Sequence, residues 1–302
     1  MQLTLTQTIR SPFGRQPSII WLLESEGAFL ISDSWDMARV DANGQVNILW
    51  QTTDREAAYQ LASVYDDRVS EPSYDGIRQA GISGFQLPGM DDYRRIYEGN
   101  KYHPNFRPLP LKAHGSALLY LEEKGITLLK LTDQGAIELS TAKVKGKGKT
   151  VEMLHPVENL IVYGTNYGEL YGQPFHAEGF EKVFKIDQLP NVCYQIAFSE
   201  NGERMFVVGL GFLKIYHFGQ SKFKEAFSLA TAARSFELIN DYLILNKGMH
   251  GIDVIHVGDK PQRVSSLDLP FAVNRMVYLA SERTFLATAA SSEDLYLLKW
   301  SE

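Results

Sequence analysis

A period constrains this chain more than any other feature. Similar apolar runs recur as AFLISD at 28–33, ALLYLE at 117–122, LIVYGT at 160–165, MFVVGL at 205–210, YLILNK at 242–247 and TFLATA at 284–289. Their starts are separated by 89, 43, 45, 37 and 42 residues, so the last four cluster near 42 and the first is about twice that. One further repeat is therefore expected between the first two runs, centred near residue 73. The segment there, SYDGIRQAGISGFQLPGMDDYRRIYEG, ends in two strand-like pieces, ISGFQL and YRRIYEG, joined by a Pro-Gly turn. That makes seven repeats. A unit this short cannot bury its apolar face alone, so neighbouring repeats must stack on one another.

Each repeat divides further into four strands. In the fifth, CYQIAF, RMFVVG, LKIYHF and KEAFSL follow one another, separated by Glu-Asn-Gly, Gly-Leu-Gly and Gly-Gln-Ser-Lys. Short β-prone runs punctuated by Gly, Asn, Asp and Ser are hairpin chemistry, because those residues accept the backbone angles of tight turns. Several runs are continuously apolar instead of alternating, as at Phe206, Val207 and Val208. A sheet with one wet face alternates, whereas a sheet covered on both faces does not. Repeats near 42 residues, each of four strands and packed on both faces, predict an all-β, seven-bladed β-propeller. A β-sandwich also supplies short strands and turns but requires no constant period.

The blades are expected over about 9–52, 53–99, 107–144, 149–187, 190–229, 231–269 and 271–300, forming one domain over 1–302. The last repeat has only three strands (FAVNRMVYL, TFLATA and LYLLKW), while QLTLTQT at the start alternates well and belongs to no repeat. Residues 2–8 are therefore expected to complete the last blade and close the ring, which removes exposed sheet edges.

On these residues the chain resembles seven-bladed β-propellers in general, over essentially its whole length, and is loosely similar to WD-repeat and YVTN-like repeats. It departs from the WD pattern, since Trp35-Asp36 is its only Trp-Asp pair and falls at a turn between middle strands. The paired glycines of kelch repeats are absent too. The resemblance implies a disc whose loops cluster at two faces, and fold alone carries no function.

Composition narrows the partners. Thirty basic and thirty-six acidic residues give a net charge of −6, against a general nucleic-acid binder, which needs a basic field. The single cysteine, Cys193, excludes an intramolecular disulfide and a cysteine zinc cluster. No apolar run approaches the roughly 18 to 20 residues of a membrane span, and MQLTLTQTIRSPFGR lacks a leader's apolar core, so a cytoplasmic protein is expected. A mature chain freed of its leader would read the same.

In such a fold, the loop leading into each first strand and the loop joining second and third strands share one face. Large side chains on those turns have no core to fill, and aromatics, Met and Arg are enriched at protein contacts. The expected partner-binding set is Trp35, Asp36, Tyr102, Arg107, Tyr167, Met249 and His250, although such aromatics also serve simply to cover blade ends. The channel mouth is expected to hold Arg15, Glu152, Asn191, Arg234 and Asn274. Cations there oppose a metal and suit an anion, and no metal or cofactor is expected. The segment GNKYHPNFRPLPLK at 99–112 reads either as a stiffened binding loop or as a linker. The run KVKGKGKT at 143–150 is a solvated loop or an anion site, and an acidic protein suits it better than DNA or RNA. No G-x-S-x-G, phosphate-binding glycine loop or H-E-x-x-H appears. The sequence thus favours a non-catalytic protein-binding propeller, a scaffold subunit or a stoichiometric inhibitor. A hydrolase or lyase at the channel mouth, or a binder of small anions or sugars, remain the alternatives.

Overall fold

The computed structural model describes residues 2–17, 19–23, 27–32, 36–51, 64–65, 68–69, 107–110, 117–121, 125–132, 135–258 and 260–301. Most of the expected second repeat, the connection before residue 107, Trp35 and Tyr102 lie outside these residues. The chain divides into two compact units, Met1–Phe85 with Ile239–Glu302, and Gln86–Leu238.

In the first unit, β1 (Gln2–Ile9) is followed by a meander of β2 (Ile19–Leu23), β3 (Ala28–Ser32), β4 (Asp36–Asp41) and β5 (Val46–Gln51), paired in that order. A short hairpin follows, β6 (Val64–Tyr65) with β7 (Arg68–Val69). In the second unit, β8 (Arg107–Pro110), β9 (Ala117–Leu121), β10 (Gly125–Thr132) and β11 (Gly135–Lys143) form another meander. The next sheet holds β12 (Lys149–Leu154), β13 (Leu160–Thr165) and β14 (Glu169–His176). Its outermost strand is broken in two, β15 (Gly179–Phe180) and β16 (Phe184–Gln188), both paired to β14. Then come β17 (Cys193–Phe198), β18 (Arg204–Gly209), β19 (Phe212–Gly219) and β20 (Lys222–Ala230). The expected strands CYQIAF and RMFVVG coincide with β17 and β18.

The sheet of β21 (Ser235–Ile239), β22 (Tyr242–Asn246), β23 (Ile252–His256) and β24 (Gln262–Leu267) follows, the division of the units falling within β21. Last are β25 (Val273–Leu279), β26 (Thr284–Ala289) and β27 (Leu295–Ser301). Here β1 pairs antiparallel with β27, from Gln2 opposite Ser301 to Ile9 opposite Leu295, so the opening strand is the fourth of this sheet.

The middle strands are buried on both faces, which is why their sequences do not alternate. All six residues of β13 are buried, and so are all six of β26. From β13, Ile161 and Tyr163 pack with Ile126 and Leu128 of β10, while Leu160 and Val162 pack on the other side with Ile196, Met205 and Val207. From β26, Phe285 and Ala287 pack with Ile244 and Val254, and Leu286 packs with Phe29 and Ile31. Each such fully buried aliphatic or Phe side chain contributes about 1.5–3 kcal/mol relative to exposure. Sheets therefore stack face to face within each unit, and their turns are left at the two strand ends.

Polar ties join neighbouring sheets in the second unit. Lys214 of β19 donates to Asp187 of β16 and to Glu225 of β20, both at 2.7 Å, and the buried Tyr216 hydroxyl donates to Asp187 at 2.6 Å. Burial alone would raise the Asp187 carboxyl, but Lys214 and Tyr216 outweigh it and hold it below the usual range. One ammonium thus serves two carboxylates, and the surplus negative charge lies on the solvent-exposed side, at Glu225.

Candidate functional site

One strand end of the second unit gathers the exposed groups. The 143–149 loop is fastened there: the Lys145 N–H donates to the buried Tyr163 hydroxyl at 3.0 Å, and the Asn166 N–H donates to the Gly148 carbonyl at 2.8 Å. With the backbone fixed, the lysines divide by role. Lys149 pairs with Glu152 at 2.5 Å, both largely buried. The Lys145 ammonium lies 5.7 Å from the Tyr171 ring centroid and Lys147 lies 5.7 Å from that of Tyr167, within cation–π range. Tyr171 in turn donates to Glu169 at 2.9 Å; burial first, and then this carboxylate, push its phenol up to about 12.

The β13–β14 turn carries Tyr167, which is 64% exposed. Gly168 closes this turn at φ +73°, and a Cβ there would lie 2.8 Å from the Leu189 carbonyl oxygen and 2.9 Å from that of Asn191. Only glycine allows that approach and that angle together. The Leu189 N–H donates back to the Gly168 carbonyl at 2.7 Å, and the Gln188 amide donates to the Tyr167 carbonyl at 3.0 Å. The same 189–192 connection then holds the β18–β19 turn, where the Leu210 N–H donates to the Val192 carbonyl at 3.0 Å. Leu210 is 51% exposed. From that turn the Gly211 carbonyl accepts the Thr231 N–H at 3.2 Å, which brings the exposed Arg234 to the same end.

A recurring irregularity turns out one residue near the start of the first strand. The register of β12 against β13 skips between Lys149 and Val151, that of β17 against β18 between Cys193 and Gln195, and that of β25 against β26 between Val273 and Arg275. The residues skipped, Thr150, Tyr194 and Asn274, are all exposed. A bulge leaves its extra residue out of the ladder and re-aims it.

The expected site residues are distributed as follows. Tyr167 is exposed as expected, and so are Met249, at 77%, and His250, both in a 3-10 turn, Gly248–His250, between β22 and β23 of the first unit. Arg15 pairs with Asp36 at 3.2 Å in the first unit, Arg107 opens β8, and Trp35 and Tyr102 lie outside the described residues. Asn191 folds back so that its Oδ1 accepts the Val192 N–H at 2.9 Å. Asn274 lies inside β25 and not in the loop before it. Glu152 is committed to its ion pair, and Arg234 stands exposed. Cys193 is buried, and burial pushes its thiol up to about 12, so it packs as a small apolar residue. Among the described residues no group of three or more His, Cys, Asp or Glu is placed to hold a metal ion.

Two exposed residues at this end were not singled out by sequence. Leu210 stands between two glycines, at the end of the apolar run MFVVGL, and an apolar residue inside a Gly-x-Gly turn is the signal that marks it. Tyr194, 42% exposed, sits in a strand whose pattern gives no hint of the bulge.

No protein-family profile matches the chain, and no curated protein does. Solved structures do. The Myceliophteria thermophila Cps50 (Swd1) β-propeller domain superposes with a TM-score of 0.61 at 9% identity, covering 99% of this chain and 100% of that one. A chain of the mitotic checkpoint complex superposes with a TM-score of 0.52 at 10% identity, covering 99% and 78%. The C-terminal WD40 domain of Sif2 follows at 0.47 and 11% identity, over 58% of this chain and 52% of that one. At such identities the likeness speaks for the fold. Stacked four-stranded meanders and the likeness to the Cps50 (Swd1) β-propeller domain together give this chain a β-propeller fold.

Proposed function

We propose that this chain is a non-catalytic protein-binding propeller that engages a partner with the strand end carrying its second-to-third turns. One observation carries the reading. Two consecutive sheets of the second unit each place a large apolar side chain at that turn, Tyr167 and Leu210, both more than half exposed. A tight turn of two or three residues needs no such side chain, and turn chemistry favours small polar residues instead. Repeated exposed apolar groups held on rigid turns are what a protein interface uses.

In this reading the sheets are blades of one seven-bladed ring within a single domain over 1–302, with the second blade over 53–99. The β1–β27 pairing supports the idea that the ring closes through its first strand. The protein acts as a scaffold subunit or a stoichiometric inhibitor, in a cytoplasmic setting. That one structural neighbour comes from a crystallised complex agrees with protein partners in general.

The test is site-specific photo-crosslinking of the full chain in native extract. A benzophenone amino acid replaces Leu210 in one preparation and Val157 in another; Val157 is 65% exposed at the opposite strand end. The expected result is a defined protein adduct from position 210 and none from 157. Equal labelling from both positions, or no adduct from 210, would remove the reading.

A further inference from the structure

We infer that the partner presents an acidic, carboxylate-rich segment to the end of the second unit built from Lys145, Lys147, Tyr167, Tyr194, Leu210 and Arg234. This rests on the protein-binding reading and names the chemistry of the partner. The argument begins from charge. The whole chain carries −6, yet the cations at this end are left over once the local carboxylates are matched. Glu152 is taken by Lys149, Glu169 by the Tyr171 hydroxyl and Lys185 at 3.8 Å, and Asp187 and Glu225 share Lys214, so three cations stand against one carboxylate in excess. Lys145, Lys147 and Arg234 are exposed and have no carboxylate partner among the described residues.

Order distinguishes this cluster from a solvated lysine run. The Lys145 N–H and the Gly148 carbonyl are both hydrogen-bonded to the neighbouring sheet, so the loop's backbone is set before any partner arrives. Preorganisation lowers the entropy lost on binding. The Tyr167 ring beneath Lys147 leaves the ammonium free to donate outward, since a π-face neutralises no charge.

The apolar groups decide between classes of anion. A nucleic-acid groove is a continuous basic track with bases stacked on aromatics. Tyr167 and Tyr194 offer rings to stack on, but Leu210, exposed at the same end, offers neither charge nor a stacking face and suits an apolar side chain of an acidic peptide. Complementary charge at such a surface sets partner choice and encounter rate.

Fluorescence anisotropy on the full chain tests this with three labelled probes. They are a short Asp/Glu-rich peptide containing one Phe, the same peptide with every acid replaced by its amide, and an oligouridylate of equal charge. The expected result is binding of the acidic peptide alone, weakening with salt and reduced about tenfold in the double variant Lys147→Glu, Arg234→Glu. Lys222→Glu with Lys224→Glu, at the opposite end of the β19–β20 hairpin, should leave it unchanged. Equal affinity for the amide peptide, equal loss in the control variant, or tighter binding of the oligouridylate would each overturn the inference. If the acidic peptide fails while position 210 still crosslinks a protein, the charge assignment falls and the protein-binding reading stands. If neither occurs, both fall.

Discussion

The two strand ends of the second unit close their turns with different side chains, and so leave different side chains outward. At one end side chains cap the backbone. The His155 Nδ1 accepts the N–H groups of Val157 at 3.2 Å and Glu158 at 2.9 Å, which leaves the proton on Nε2 to donate to the Gly202 carbonyl at 3.0 Å. Its ring packs against Phe198 and Phe218, with centroids 4.7 and 4.6 Å away. Nearby, the Ser199 hydroxyl accepts the Arg204 N–H at 3.0 Å, and the Asn201 side-chain oxygen accepts the Glu203 N–H at 3.2 Å. At the other end backbone pairs, Leu189 to Gly168, Leu210 to Val192 and Asn166 to Gly148, are joined by caps from Tyr163, Thr165, Gln188 and Asn191, none of which is the residue that projects. A side chain that caps a turn is consumed by it. At the second end the caps come from other residues, so the side chains of Tyr167, Leu210 and Lys147 project. Buried backbone groups must find partners at either end, and the choice of partner decides which end keeps side chains for recognition.

The comparison can be broken most strongly at Gly202. It sits at φ +74°, and a Cβ there would fall 2.2 Å from the His155 Cε1. Gly202→Ala should cost about 3 kcal/mol, combining left-handed backbone strain with the displaced imidazole. Urea unfolding measures this, and a loss below about 1 kcal/mol would show that the His155 end is not rigidly packed.

Acid sharpens the same contrast. Burial lowers the His155 pKa below its ordinary 6.5, against the opposing pull of the Gly202 carbonyl and Glu158. The folded state then binds this proton more weakly than the unfolded chain. Its contribution is complete above 6.5 and is lost as pH falls through 6.5 toward the folded value. Glu237, pushed up to about 7 by burial, slopes the other way, but it does so equally in any His155 variant. Between about pH 7.5 and 5.5, the melting temperature of the wild type should therefore fall more steeply than that of His155→Gln. Parallel curves would remove His155 as a neutral cap.

The smallest effect is expected at the projecting end. Leu210→Ser removes a side chain that the fold does not use, so stability should stay within about 0.5 kcal/mol of the wild type. The same change should weaken capture of the partner. A large loss of stability would mean that Leu210 belongs to the core and not to a recognition surface.

Much of the architecture was legible because it follows from short-range chemistry. Continuous apolar runs announced strands covered on both faces, and LIVYGT and TFLATA are buried throughout. Gly-rich punctuation placed the turns, and the alternation of QLTLTQT anticipated its pairing with β27. The site was harder to read. Glu152 looked like a channel-mouth carboxylate, since residues three apart in a regular strand point to opposite faces. The bulge at Thr150 inserts one residue, brings Lys149 and Glu152 to the same side, and turns a candidate ligand into a paired ion.

The sequence by itself determined the repeat, the strand class and the burial of the middle strands, since each depends on residues adjacent along the chain. Tertiary structure decided which charges are matched and which side chains remain outward. Lys149 and Lys147 lie two residues apart in one Gly-Lys run, yet one is buried against a carboxylate and the other stands over an exposed tyrosine. No local pattern separates them. Their difference comes from the neighbouring β13–β14 turn, which the chain meets only after folding back on itself.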